Sequence, residues 1–83
     1  MMDFYEEFNA LAMAIVTQAA TDYFSALYWL KHNKPSNTKE YLDNVKTKID
    51  CEMFFRSGWC KQLTEIDGEK IIKVIRGRVK RKR

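Results

Sequence analysis

The chain has 83 residues, a net charge of +4 and 13% aromatic residues. This length allows one small domain, which buries only about 60% of the surface of its unfolded chain. Two cysteines, Cys51 and Cys60, make neither a disulfide framework nor the spacing of a metal site, so we expect reduced thiols in or near the core. The longest apolar run, residues 10–16, is far too short to span a membrane, and the first residues are acidic where a signal peptide is basic. We expect a soluble, intracellular protein.

Charge is distributed unevenly along the chain. Residues 1–30 carry a net charge of −4 and residues 57–83 carry +6. Such a basic segment attracts phosphates, so it is a candidate nucleic-acid contact. The alternative is a solvated end that only balances the acidic first segment. The candidate nucleic-acid-binding residues are Arg76, Arg78, Lys80, Arg81, Lys82 and Arg83.

A long first helix is the clearest predicted element. Asp3 and Glu6 have the spacing of a capping box, and neither proline nor glycine occurs before Pro35, which allows a helix over residues 4–31. Apolar residues recur at steps of three or four, which predicts one buried face. The predicted stripe is Tyr5, Phe8, Ala12, Val16, Ala19, Tyr23, Leu27 and Leu30, widened by Leu11, Ile15 and Ala26.

A short break and a second helix follow. Pro35 disfavours helix at the residue before it, and Asn33 can adopt the left-handed geometry of a helix end. Asn37 with Glu40 resembles another capping pair, which predicts a helix over residues 38–56. A short loop between two long helices implies an antiparallel hairpin. The predicted apolar stripe of the second helix is Tyr41, Leu42, Val45, Ile49 and Met53.

Two shorter helices complete the predicted fold. Ser57 can cap a helix over residues 58–63 that turns Trp59 and Leu63 inward, and Asp67 can open a helix over residues 68–76. The second of these would turn its isoleucines, Ile71, Ile72 and Ile75, toward the hairpin. A strand over residues 70–79 is the alternative, because the segment is rich in β-branched residues, but a lone strand would have nothing to pair with.

The sequence thus predicts an all-α fold, a long antiparallel helical hairpin closed by one short and one medium helix. A single helical domain would span residues 1–76, and residues 77–83 would form a flexible basic tail.

Nothing in the sequence indicates catalysis. His32 is the only histidine and lies in a polar loop between lysines, whereas a nucleophilic cysteine would need an adjacent imidazole. Acidic pairs lie two residues apart and so do not share a helix face, and the glycines are isolated rather than grouped in a phosphate-binding loop. We expect no catalytic residues, no cofactor and no metal.

Aromatic residues are more numerous than a two-helix core needs. Phe54 and Phe55 are consecutive, so one ring can be exposed beside Arg56 and Trp59, a composition typical of binding hot spots. The alternative is that both rings are buried. The candidate protein-binding residues are Phe55, Arg56, Trp59, Tyr28 and Trp29. A homodimer is a further use for the surplus rings.

The segment F-F-R-S-G-W-C-K-Q-L-T-E-I-D-G-E-K-I-I resembles a group of small proteins carried by phages and prophages of Gram-positive bacteria. In that group a similar motif follows a long alanine-rich helix that contains Asp-Tyr, here Asp22 and Tyr23. The matching motif positions are Phe54, Phe55, Arg56, Ser57, Trp59, Leu63, Thr64, Ile66, Asp67, Gly68, Glu69, Ile71 and Ile72.

The resemblance covers about half of the chain and implies a helical fold and a phage context, with no assigned activity. It places the protein in the cytoplasm of a bacterial host cell. Small phage proteins often occupy a host enzyme or defence complex. We therefore expect a non-enzymatic accessory protein that binds a host protein or complex, with a nuclease-type defence such as CRISPR-Cas as the target. The alternative is a nucleic-acid-binding regulator that uses the basic C-terminal segment.

Overall fold

The computed structural model describes residues 4–81, and the side chains of residues 10–80. The predicted cap Asp3 and the candidate residues Lys82 and Arg83 lie outside this range, as do the side chains of Tyr5, Phe8 and Arg81. The fold is all-α, as predicted, and the described part of the chain contains no strand. Its helices are α1 (Phe4–Lys31), α2 (Lys39–Arg56), α3 (Gly58–Leu63) and α4 (Gly68–Arg81).

The turn between α1 and α2 is held by side chains. The amide of Asn33 donates to the carbonyl oxygen of Trp29 at 2.7 Å, and no residue within 4–81 has a positive φ. Asn33 therefore ends α1 through its side chain rather than through left-handed backbone. Thr38, not Asn37, caps α2, because its hydroxyl accepts the backbone N–H of Tyr41 at 3.2 Å.

α1 and α2 are antiparallel, as predicted, because Tyr23 meets Glu52 whereas Trp29 meets Tyr41. α4 runs antiparallel to α2 and therefore parallel to α1. Arg76, late in α4, contacts Glu52, whereas Glu69, at the start of α4, contacts Arg56, one turn further along α2. The carboxyl ends of α1 and α4 consequently lie together, beside the amino end of α2. This arrangement brings Lys31 to the end of α4.

The core lies where α1, α2, α3 and α4 meet. Tyr23 is completely buried, and its ring meets that of Phe55 edge to face with centroids 5.7 Å apart. Ser57 caps α3 as predicted, accepting the backbone N–H of Cys60 at 3.2 Å. The contiguous core cluster consists of Tyr23, Cys51, Phe55, Cys60, Ile72 and Ile75. Its cysteines are free and buried, as predicted.

The predicted inner face of α2 is wrong for three of its five residues, whereas Tyr41 and Val45 are half-buried. Cys51 and Phe55, four residues apart, face the core, whereas Leu42, Ile49 and Met53 of the predicted stripe are exposed. The reason is that α2 packs against both α1 and α4, and the face that meets both carries Cys51 and Phe55. These three apolar side chains of α2 therefore point away from the bundle.

The predicted inward position of Trp59 is also wrong, because its side chain is 57% exposed. In a helix of six residues only one face can reach the core, and here Cys60 is buried and Leu63, three residues on, is half-buried. Trp59 precedes Cys60 by one residue and so points about 100° away from it. Cys60, rather than Trp59, fastens the bend after α2.

The segment predicted as a flexible tail is helical as far as Arg81, five residues beyond the predicted end of α4 at Arg76. Val79 continues the buried stripe of α4 and is itself buried. The ammonium of Lys31 donates to the carbonyl oxygens of Val79 and Lys80, at 2.9 and 3.4 Å. A lysine at this position satisfies carbonyls that a helix end leaves unpaired and complements the helix dipole.

Candidate interaction surfaces

The residues predicted to bind a protein do not form one surface. Phe55 is only 2% exposed and belongs to the core, so it is not available to a partner. Trp29 is half-buried, with its ring 6.0 Å from that of Tyr41. Tyr28 and Trp59 are both exposed, but Tyr28 lies in the last turn of α1 and Trp59 lies beyond the far end of α2.

The fifth predicted protein-binding residue, Arg56, is engaged within the molecule. Its guanidinium forms an ion pair with Glu69 of α4 and lies 3.8 Å from Glu52 of its own helix. This contact holds the start of α4 against the end of α2. Arg56 therefore has a structural role that the hot-spot composition did not indicate.

A polar cluster joins α1, α2 and α4 at the edge of the core. The hydroxyl of Tyr23 donates to Glu52 Oε2 at 2.6 Å, and Arg76 donates to the same carboxylate oxygen at 2.7 Å and to the Tyr23 hydroxyl at 3.1 Å. Each of these groups thus has a partner on two other helices. We call Tyr23, Glu52 and Arg76 the three-helix polar cluster.

The surroundings of this cluster shift its proton equilibria. Burial, reinforced by the hydrogen bond to Glu52, raises the pKa of Tyr23 to about 12. Burial also acts to raise the pKa of Glu52, but hydrogen bonds from Tyr23 and Arg76 and the charge of Arg76 outweigh it, so this pKa lies below its usual value. The phenol is therefore neutral and the carboxylate charged at neutral pH.

The predicted nucleic-acid-binding residues fall into two groups. Arg76 is turned toward Glu52 and Tyr23, and its charge is balanced there. Arg78 and Lys80 are exposed, and no ion pair within residues 10–80 includes either of them. Arg78 and Lys80 therefore present their charge from a helix rather than from a loose tail.

An exposed apolar stripe on α2 is the first surface that the sequence analysis did not assign to function. Leu42, Ile49 and Met53 are 52%, 46% and 66% exposed, and steps of seven and four place them on one helix face. We call these residues the outer α2 stripe. Beside it, Lys46 is already paired with Asp50 at 2.9 Å. The helical periodicity was visible in the sequence, but its direction was not.

An exposed row of rings on α1 is the second such surface. Phe24 and Tyr28 stack with centroids 6.0 Å apart, and the Tyr28 ring lies 4.3 Å from that of His32. These residues, which we call the α1 ring ladder, recur at steps of four. Phe24 also lines a groove of about 840 Å³ with Lys73, Val74, Gly77 and Arg78 of α4. The four-residue spacing of these rings was visible in the sequence. The position of α4 beside them could not be read from it.

The residues considered for catalysis are not assembled into a site. His32 stacks on Tyr28 in the turn after α1, and Cys51 and Cys60 are buried. Burial raises the pKa of both thiols, with the Asp22 charge adding to the effect at Cys51, which disfavours a nucleophilic thiolate. Within the described residues, no group of three or more histidine, cysteine or acidic side chains could hold a metal ion.

Comparisons with protein-family models, curated proteins and solved structures gave no match to this chain. Among the helices of residues 4–81, none is both long and apolar enough to span a membrane.

Proposed function

We propose that this chain is a non-enzymatic protein that binds a partner protein through the outer α2 stripe. The observation that carries the proposal is the exposure of Leu42, Ile49 and Met53 on one face of a helix whose other face fills the core. A small protein that exposes three large apolar side chains on one helix face leaves a surface that association can bury.

The stripe has the properties of a helix-docking surface. From Leu42 to Met53 it extends about 16 Å, or three turns, at the rise of an α-helix. Methionine, at one end, adapts its shape to different partners. Because Lys46 already pairs with Asp50, docking here does not strip water from an unpaired charge at that position. A partner with an apolar helix face of similar length fits these features.

The biological setting of the proposal comes from the sequence motif at residues 54–72. Its resemblance to small proteins of phages and prophages supports a partner in the bacterial host. We propose that the partner belongs to a nuclease-type defence complex, such as a CRISPR-Cas effector, and that occupation of that partner inhibits it. Inhibition by occupation requires no catalytic group in the phage protein.

Substitution of Ile49 by glutamate tests the proposal, because a charge at the centre of the stripe opposes its burial. Bacterial cells that carry a targeting CRISPR-Cas nuclease should lose the targeted plasmid, and the wild-type protein should protect it. The Ile49→Glu variant should not protect it. A matched control is Leu11→Glu, which places the same charge at an exposed leucine of α1.

A direct binding assay accompanies the cell assay. The tagged protein should retain a stoichiometric protein from nuclease-treated host lysate, and Ile49→Glu should retain at least about tenfold less. Equal retention by wild type and Ile49→Glu would show that the stripe is not the binding surface. A twofold mass of the purified protein that the same substitution abolishes would show that a second copy covers the stripe.

A second candidate function is a nucleic-acid-binding regulator. The observation that favours it is the exposure of Arg78 and Lys80 on a basic helix, without ion pairs among the described residues. Binding of this kind weakens steeply as the salt concentration rises. Absence of DNA and RNA binding at low salt would exclude it.

A further inference from the structure

The α1 ring ladder gives this small protein a row of exposed aromatic side chains. Phe24 and Tyr28 stack with an interplanar angle of 22°, and the imidazole of His32 is tilted by 48° against Tyr28. All three side chains are exposed. Rings spaced by four residues rise about 6 Å from one to the next along the helix. The core does not require these rings, because Tyr23 and Phe55 fill it.

Cations of α4 lie alongside the ladder. Lys73 and Arg78 line the groove that Phe24 closes on the α1 side. Neither cation takes part in an ion pair with any side chain of residues 10–80. Gly77 opens the groove between them, since a Cβ atom there would meet nothing within 4 Å. The groove therefore combines the ring of Phe24, two available positive charges and free space.

The end of the bundle nearest the ladder is also favourable to a polyanion. The carboxyl end of a helix carries a negative potential, which would repel an anion. At the end of α4 this potential is offset, because the ammonium of Lys31 donates to the carbonyl oxygens of Val79 and Lys80. Lys34, in the turn after α1, adds a further exposed positive charge. An anionic chain that follows the ladder toward this end meets cations along its course.

We propose that the α1 ring ladder and the cations of α4 bind a single-stranded nucleic acid. Bases stack on Tyr28 and its neighbouring rings, while phosphates contact Lys73 and Arg78. This combination of stacking faces and a cationic groove is how sequence-tolerant proteins hold single strands. A duplex keeps its bases inside and gains nothing from the rings. The proposal goes beyond the protein-binding function and gives the second candidate function a site that joins Arg78 to Lys73 and the α1 ring ladder.

Fluorescence anisotropy with labelled oligonucleotides tests the proposal. The purified full-length protein is titrated, at low and at moderate salt, into a twelve-nucleotide oligothymidine, a twelve-nucleotide oligouridine and a DNA duplex of mixed sequence. Both single strands should bind more tightly than the duplex, and the tighter of the two identifies DNA or RNA as the preferred strand. Replacement of Tyr28 by alanine should weaken single-strand binding by about 5- to 150-fold.

Matched control variants show whether binding depends on the α1 ring ladder and Arg78 or on any exposed ring and any positive charge. Trp59→Ala removes an exposed ring of α3, which follows the end of α2 that lies away from the ladder, and should leave the affinity for single strands unchanged. Arg78→Gln should reduce the slope of log affinity against log salt by about 0.7, the value for one phosphate contact on a single strand. Lys61→Gln, an equal charge change on α3, should leave that slope unchanged.

Three results would overturn the proposal. They are no binding at low salt, equal binding of duplex and single strand, and single-strand binding that Tyr28→Ala leaves intact while removal of residues 81–83 abolishes it. The last result would assign binding to the end of the chain alone. Because the protein-binding assay uses nuclease-treated lysate and the stripe on α2, either proposal can fail while the other stands.

Discussion

Removal of one hydroxyl group tests how the three-helix polar cluster holds the bundle. Tyr23→Phe keeps the buried ring and its contact with Phe55 but deletes the hydrogen bonds to Glu52 and from Arg76. Glu52 and Arg76 remain paired with each other at 2.7 Å, so the variant leaves no buried charge without a partner. The loss of unfolding free energy in this variant therefore measures the contribution of the Tyr23 hydroxyl.

The expected loss is about 2 kcal/mol of unfolding free energy. The bond to Glu52 is short and ends on a charged group, and such bonds contribute roughly 1.5 to 3 kcal/mol net. The bond from Arg76 adds less, because that side chain is half exposed and water replaces the phenol there. In a domain of this size, about 2 kcal/mol lowers the melting temperature by roughly 8 to 16 °C.

Urea unfolding followed by circular dichroism measures this difference. The midpoint should fall by roughly 1 to 2 M at an unchanged slope. Tyr28→Phe is the matched control, since it removes an exposed hydroxyl and should change stability by less than about 0.5 kcal/mol. If Tyr23→Phe were no less stable than this control, the cluster would not stabilise the fold and the reasoning would be refuted.

Four further outcomes are expected from the structure. Gly68→Ala should destabilise the protein by about 1 to 3 kcal/mol, because the new Cβ would overlap the backbone carbonyl of Phe55. Gly77→Ala should instead stabilise the protein by about 0.5 to 1 kcal/mol, because the new Cβ lies in a helix interior and meets nothing within 4 Å. Equal changes in unfolding free energy for the two glycine variants, measured by urea unfolding, would contradict this geometry. The folded pKa of Tyr23, about 12, exceeds the unfolded value of 10.0, so its contribution is complete below pH 10 and is lost as pH rises toward 12. The Tyr23→Phe variant should therefore lose less unfolding free energy than the wild type between pH 10 and pH 12. The same dependence on pH in both proteins would contradict this role of Tyr23. Cys60 should react with iodoacetamide in native protein only as fast as the protein opens, and rapid labelling without denaturant would disprove its burial.

The sequence predicted the helices well because their signals are local. Residues 4–31 contain no proline or glycine, and the predicted bounds of α1 and α3 agree with the structure. Ser57 was correctly identified as a cap for the same reason, since a cap needs only its own helix start. The end of α4 was placed too early because it depends on Lys31, a residue 48 positions from Val79.

The sequence predicted the surfaces poorly because burial depends on the arrangement of all the helices. The periodicity of α2 identified an apolar stripe correctly, but only the joint packing of α1 and α4 decides that Cys51 and Phe55 face inward instead. The pairing of Glu52 with Arg76 joins residues 24 positions apart, so no local pattern indicates it. For the same reason Arg76 was assigned to nucleic-acid contact rather than to the polar cluster.

We propose that Leu42, Ile49 and Met53 serve association rather than folding, and the stability of a variant with a polar outer α2 stripe tests this most directly. Combined replacement of these residues by serine should change the free energy of unfolding by no more than about 1.5 kcal/mol, three times the usual limit for a surface position. Core positions would lose about 2 to 5 kcal/mol each, so a fall of more than about 4 kcal/mol would place the stripe inside the fold and contradict the account.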